Sequence, residues 1–131
     1  MEAAEAGALM TEPVLTVDPS AEIAEVAAAM RAQAINSIVV IDDGCRPIGI
    51  LTSTDFVGVV ADGDVDSTVG DHMTDGVVTT SPAASVEEVA RLMIDHDISH
   101  VPVVENEEAV GLVSATDITG HAAGTAVADV E

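Results

Sequence analysis

Gly49-Ile50-Leu51-Thr52-Ser53-Thr54-Asp55 is answered further along the chain by Gly111-Leu112-Val113-Ser114-Ala115-Thr116-Asp117. Moving outward from this pair, Met10-Thr11, Val14, Thr16, Pro19, Val26, Met30 and Ile35 are matched in order by Met73-Thr74, Val77, Thr79, Pro82, Val89, Met93 and Ile98. The offset is 63 as far as Val40/Val103, and 62 through Asp55/Asp117 after a one-residue deletion in the second copy. An internal duplication of this size predicts two similar units about a pseudo-twofold axis, with function belonging to the pair.

Each copy reads as strand, helix, strand, strand, helix. In the second, Val77-Val78-Thr79-Thr80 is short and β-branched, as strands are. Ser85-Val86-Glu87-Glu88 has the form of a capping box, and Val86, Val89, Ala90 and Met93 follow as one apolar helical stripe. Ile98 to Val104 is an extended apolar run whose Pro102 implies an edge, a strand start or a bulge. Glu105 to Glu108 is a turn, Val110 to Val113 returns, and Thr116-Asp117 opens a helix. In the first copy Ile23, Val26, Ala27 and Met30 form the stripe, with Ser20 as the candidate cap. Ile38–Ile41 is a strand, Asp42-Asp43-Gly44 a hairpin turn, and Ile48–Leu51 the return. Phe56, Val59 and Val60 continue the closing helix. The predicted division is a tail at 1–8 with little to bury, repeats at 9–63 and 71–124, a linker at 64–70 and a tail at 125–131.

Composition narrows the function. The 131 residues carry 24 Asp plus Glu, three Arg and no Lys, a formal charge of -21. Such a surface repels a polyphosphate backbone, and with Phe56 as the only aromatic there is no platform for stacking bases. Nucleic acid is thereby excluded as a partner. The acids are spread along the chain, which reads as a solvated surface suited to high intracellular salt, where the Debye length falls to about 3 Å at 1 M. A halophilic source is the expectation. Cys45 is alone, which points to a reducing compartment and, beside Arg46 in a turn with no neighbouring base, to an inert thiol. The acidic N-terminus does not resemble a signal peptide, and the longest apolar run is strand length, so a cytoplasmic protein without membrane contact is expected.

The chemistry concentrates where each return strand ends. Hydroxyls followed by an acid at a helix start suit a small anion or a vicinal diol, because an ionised carboxylate accepts from two donors at once. Ordinary helix capping explains one such site equally well. Recurrence of hydroxyl-x-Thr-Asp after a Gly-initiated strand favours the binding role. His96 and His100 flank a helix end and share no metal-binding face; Asp117 and His121 read as a helix pair, and His72 has no assignable partner. Asp62, Asp64 and Asp66 lack calcium-loop spacing. No nucleophile–base–orienter set or phosphate loop is present, so catalysis and a bound metal are not expected.

In the ordered set M-T-x-x-V-x-T-x-x-P, amphipathic helix, I-x-x-V-P-V-V, acidic turn and G-h-h-S/T-x-x-D, where h is a hydrophobic residue, both copies resemble cystathionine-β-synthase (CBS) domains. The resemblance covers nearly the whole chain and implies an α/β fold with tandem repeats packed as a pseudo-twofold Bateman module. Such modules are regulatory, and commonly hold AMP, ATP or S-adenosylmethionine in clefts that mix segments of both repeats. Carried over by position, Asp55 and Asp117 hold ribose hydroxyls, and Thr52, Thr54, Ser114 and Thr116 face the phosphate or its substituent. Asn36, Ser37, Ile38, Ser99, His100, Val101 and Pro102 line the adenine, with Thr16 and Thr79 closing the cleft. Clefts of this kind pair Asp117 with Asn36-Ser37, and Asp55 with Ser99-His100. The first copy departs from the pattern, since Ile38-Val39-Val40-Ile41 lacks the proline of Val101-Pro102-Val103-Val104.

The expected function is a sensor of an adenosine-containing metabolite that signals to a separately encoded partner, as a homodimer. The alternative is an interaction scaffold with vestigial clefts. With three Arg and no Lys, a ligand of low negative charge such as AMP or S-adenosylmethionine is preferred over ATP without Mg²⁺.

Overall fold

The computed structural model describes residues 4–11, 15–74 and 76–120. The chain divides into two compact units, and neither is continuous in sequence. The first-copy unit is Val14–Val77 with Glu107–Ala109, and the second-copy unit is Met1–Pro13, Val78–Asn106 and Val110–Glu131.

In the first-copy unit, β1 (Thr16–Val17), β2 (Ser37–Ile41) and β3 (Pro47–Thr52) form a three-stranded sheet in that order. β1 runs parallel to β2, with Thr16 opposite Val39 and Val17 opposite Val40. β2 and β3 are antiparallel, from Ser37 opposite Thr52 to a bulge at Val40/Ile41. Helix α2 (Ile23–Gln33) lays Ile23, Val26 and Met30 on Ile38, Val40 and Leu51, and α3 (Ser53–Asp62) adds Val59. Val39 lies on the other face of β2 and is buried as well, which accounts for the unbroken apolar run. The β2–β3 turn is longer than the predicted Asp42-Asp43-Gly44. Asp42 Oδ1 accepts from the amides of Gly44 (2.9 Å) and Arg46 (3.0 Å), and the left-handed position falls to Cys45.

The second-copy unit has α5 (Val86–His96) packed on a two-stranded sheet of β4 (His100–Glu105) and β5 (Glu108–Ser114), and residues 115–120 are helical. Val89 and Met93 meet Val101, Val103 and Val113 in its core. The β4–β5 turn is Asn106-Glu107, both at positive φ, the conformation of a two-residue type I′ hairpin.

Three local expectations need correction. The predicted strand Val77–Thr80 is reduced to one parallel bridge, Thr80 to Val103. In the first copy the Val39 amide donates to Leu15 O at 3.2 Å, and its counterpart Pro102 has no amide to give. What survives lies beyond the proline: the Thr80 amide donates to Pro102 O (3.0 Å) and the Val104 amide to Thr80 O (2.8 Å). Second, Ser20 does not cap α2, because its amide and hydroxyl are both held by Asp18 Oδ1 at 2.8 and 2.6 Å. Third, Ser85 accepts from the Glu88 amide at 3.1 Å, and the return bond from Glu88 is not among those formed by the described residues.

What satisfies the helix starts is an exchange of leading segments. Residues 4–11, ahead of the first copy, dock on the second. The Val86 amide donates to Ala4 O, Ala6 to Ala84 O and Gly7 to Pro82 O, and Thr11 bridges Leu112. The linker does the same for the first copy: Ile23 donates to Ser67 O, Val69 to Ala21 O and Gly70 to Pro19 O, and Thr74 bridges Ile50. Short helices α1 (Ala6–Leu9) and α4 (Val69–His72) result, burying Ala6 and Val69 to 1% and 0% exposure. Ala6 therefore departs from the expectation of a tail with little to bury. Met73 then lies across Gly49 and Met10 across Gly111, so closely that a Cβ at either glycine would overlap the thioether.

Candidate ligand-binding site

Each half-site is assembled by one backbone bond. The Ser53 amide donates to Asn36 O at 3.0 Å, and the Ala115 amide donates to Ser99 O at 2.8 Å. These are equivalent positions, so in each copy the strand-entry segment lies beside the start of the closing helix. Asn36-Ser37 is thus adjacent to Thr52–Asp55, and Ser99-His100 to Ser114–Asp117, the segment of the same copy where the expectation paired each aspartate with that of the other copy.

Both carboxylates are divided in their duties. The Thr52 amide donates to Asp55 Oδ2 at 2.7 Å, and the Ser114 amide to Asp117 Oδ2 at 2.8 Å. These are capping interactions, as the capping alternative requires. Among the described residues, however, Oδ1 of neither aspartate has a hydrogen-bond partner, and both residues are half-buried. An ionised carboxylate with one oxygen spent holds its rotamer, and the other oxygen remains to accept from a ligand.

The hydroxyls differ between copies. Thr52 Oγ1 forms a capping box with the Asp55 amide and also donates to Asp55 Oδ2 at 3.2 Å, whereas Ser114 Oγ accepts from the Asp117 amide at 3.1 Å. Ser53 Oγ donates to Asn36 O at 3.4 Å; Ala115 has no counterpart, and Ser99 Oγ instead lies 3.1 Å from His100 Nδ1. Burial pushes the His100 imidazole below its ordinary pKa, and the Asp117 carboxylate opposes that push.

The remaining predicted residues are placed as follows. Thr54 and Thr116 are exposed on the first turns of their helices, and Thr79 is exposed beside the Thr80 bridge. Ile38 and Val101 contribute side chains to the two cores, and Pro102 is buried. Thr16 and Ile38 share a cavity of about 270 Å³ with Val26, Met30 and Ile35. A larger apolar groove of about 590 Å³ runs between α2 and α3, with Arg31, Phe56, Val57 and Val60 along it. Neither hollow includes Asp55 or Asp117 in its lining.

His72, left without a partner by sequence reasoning, has Nε2 2.9 Å from Asp64 Oδ2 and 2.8 Å from Ser67 Oγ. Nothing in a polar linker signals that contact. Arg46 pairs with Asp42 at the surface (3.6 Å). Among the described residues no group of three or more His, Cys, Asp or Glu is placed to hold a metal, and no helix is long and apolar enough to cross a membrane. The Asp117–His121 pair, Val14 and the tail from residue 125 lie outside the described residues.

The CBS domain family matches residues 6–62 and 69–124. The CBS domain-containing protein YhcV of Bacillus subtilis is 30% identical over 128 residues, covering 92% of this chain and 91% of that protein. An uncharacterized 17.7 kDa protein of Acidianus ambivalens is 32% identical over 111 residues, covering 84% and 68%. Among solved structures, the CBS domain pair of protein MJ0100 in complex with 5′-methylthioadenosine and S-adenosyl-L-methionine superposes with a TM-score of 0.87 at 28% identity, covering 95% of this chain and 99% of that one. The cytosolic domain of the Mg²⁺ channel MgtE in complex with ATP gives 0.77 at 33% identity, covering 90% and 48%. With two family-matched repeats, each bringing its strand-entry segment to a hydroxyl–aspartate helix start, the chain belongs to the CBS-domain family of regulatory, non-catalytic modules as a tandem pair.

Proposed function

We propose that this protein is a sensor that binds an adenosine-containing ligand at the Asp55 and Asp117 half-sites and passes its occupancy to a separately encoded partner. The observation that carries this reading is the division of each carboxylate. Oδ2 is fixed by the preceding amide, and Oδ1 is left to accept from the ribose diol. Relatives in complex with 5′-methylthioadenosine, S-adenosyl-L-methionine and ATP support the ligand class. Thr52, Thr54, Ser114 and Thr116 then face the 5′ substituent. Regulation follows from any difference in ligand affinity between two arrangements of the protein, since a ligand shifts an equilibrium only by that difference.

The acidic, lysine-free surface suits a cytoplasm of molar salt, so binding is to be measured there. Calorimetry in molar KCl with AMP, ATP and S-adenosylmethionine is expected to show binding of one or more, lost stepwise in Asp55→Ala and Asp117→Ala. Unchanged binding in both variants overturns the ribose assignment. No heat from any of the three leaves the carboxylates as caps alone and favours the scaffold reading, which the capping bonds themselves support. A homodimer with a second copy on the α2–α3 groove covers Val57 and Val60, which are 68% and 70% exposed.

A further inference from the structure

Of the five methionines, four lie among the described residues, and the fold treats them as two pairs. Met30 and Met93 are core side chains, 5% and 7% exposed. Met10 and Met73 are half-buried, Met10 packed against the second-copy core and Met73 against the first. Their thioethers sit on glycine, Met10 on Gly111 and Met73 on Gly49, with no room for a Cβ between. Each also ends an exchanged leading segment, and the residue after it makes the bridge to the return strand. Thr11 and Leu112 exchange both amide bonds, at 2.8 and 3.3 Å, and Thr74 and Ile50 do so at 2.9 and 3.1 Å. The amides of Met10 and Met73 are themselves committed to Ala6 O and Val69 O.

We propose that Met10 and Met73 are oxidisable latches: sulfoxide formation at Met10 releases the leading segment from the second-copy unit, and at Met73 releases the linker from the first. A peroxide transfers one oxygen atom to Sδ. The S–O bond forms as the O–O bond breaks, the sulfur is oxidised by two electrons, and hydrogen peroxide leaves as water. The product is a polar acceptor in what was an apolar contact. The four bridge amides beside it are already committed, so the new oxygen gains one of them only by taking it from the bridge. Half-burial lets a small oxidant reach these two sulfurs, and burial shields those of Met30 and Met93. Ile50 and Leu112 lie two residues before Thr52 and Ser114, so each latch acts on the strand that leads into a hydroxyl–aspartate helix start. Neither latch depends on the adenosine reading.

The test adds hydrogen peroxide to the full chain in molar KCl and follows each methionine by mass spectrometry, together with amide hydrogen exchange. Met10 and Met73 are expected to oxidise about tenfold faster than Met30 and Met93. As they do, exchange at Thr11, Leu112, Thr74 and Ile50 is expected to quicken about tenfold. Met10→Leu, a swap of similar volume, abolishes the quickening at Thr11 and Leu112 and keeps that at Thr74 and Ile50; Met73→Leu does the reverse. Methionine sulfoxide reductases acting on the oxidised wild type restore slow exchange, a readout that needs no variant. Equal oxidation of all four sulfurs overturns the proposal, as do sulfoxides at Met10 and Met73 that leave exchange unchanged. So does exchange that quickens as before when both residues are leucine, or that stays fast after reduction.

Discussion

The two copies solve the same edge differently. In the first, Val39 donates its amide to Leu15 and a two-residue strand β1 forms; in the second, Pro102 stands at that position and a single bridge at Thr80 remains. The packing helix and the antiparallel strand pair around that edge occur in both, joined by different turns. An edge strand contributes few contacts, so its loss is tolerated. The glycine–methionine contact and the hydroxyl–aspartate helix start occur in both copies, because the first is set by steric overlap and the second by the local chemistry of the helix start. Divergence therefore marks where the fold has slack, and coincidence marks where it has none.

The sharpest test of this equivalence uses Ala6 and Val69, which occupy equivalent positions and are almost fully buried. Ala6→Asp and Val69→Asp each place an unpaired carboxylate in an apolar core, at a cost of about 3–5 kcal/mol. Because the leading segments are exchanged, Ala6→Asp is expected to unfold the second-copy unit and Val69→Asp the first. Hydrogen–deuterium exchange read peptide by peptide distinguishes this from the opposite assignment. Loss of protection in residues 23–60 with Ala6→Asp breaks the exchange.

That exchange is also where sequence reading stopped short. Helices α2 and α5 and the hairpins were legible because their apolar positions recur at the helical and strand periods over enough residues to be distinctive. Ala6–Met10 and Val69–Met73 share only the glycine and methionine positions, too few for a period, and no local signal tells a short helix which copy to dock on. Pro102 announced an irregular edge, but not that the missing partner would be Val78. At the half-sites, Asp55, Asp117 and their hydroxyls stood out by recurrence. The allocation of Oδ2 to a cap, and the additional bond from Thr52 Oγ1 to Asp55 Oδ2, depend on side-chain rotamers that residue identity does not reveal. The one-residue deletion falls in the hairpin turn: residues 42–46 of the first copy answer to 105–108 of the second, where Glu105 and Glu108 join the strands and Asn106-Glu107 remain as the turn.

Exchanging the edge residues sharpens the comparison at intermediate magnitude. Val39→Pro removes the donor to Leu15 O and is expected to destabilise the first-copy unit by about 1–3 kcal/mol. The reverse change, Pro102→Val, restores a donor to the second copy worth about 1 kcal/mol, and forfeits a similar amount of the rigidity that proline gives the unfolded chain. Its net effect on stability is therefore near zero, and its signature is a new exchange-protected amide at position 102. A protected amide there together with an unchanged denaturation midpoint supports the account. A Val39→Pro protein as stable as wild type shows instead that β1 is not held by that bond.

The smallest expected effect lies at the helix C-caps. Ala34 and Asp97 end α2 and α5 at equivalent positions, both left-handed, with φ of 56° and 53°. An alanine there bears the steric cost of its Cβ against the following carbonyl, about 1–2 kcal/mol, whereas aspartate visits this region more readily through local hydrogen bonding. Glycine relieves the cost and loses part of the gain to its freer unfolded chain. Ala34→Gly is accordingly expected to stabilise the first-copy unit by about 1 kcal/mol, and Asp97→Gly the second by roughly half as much or less. Denaturant midpoints of the two variants decide it. Equal gains mean that the Asp97 side chain contributes nothing to its cap, and a loss in Ala34→Gly means that Ala34 is held by packing and not tolerated in spite of its backbone.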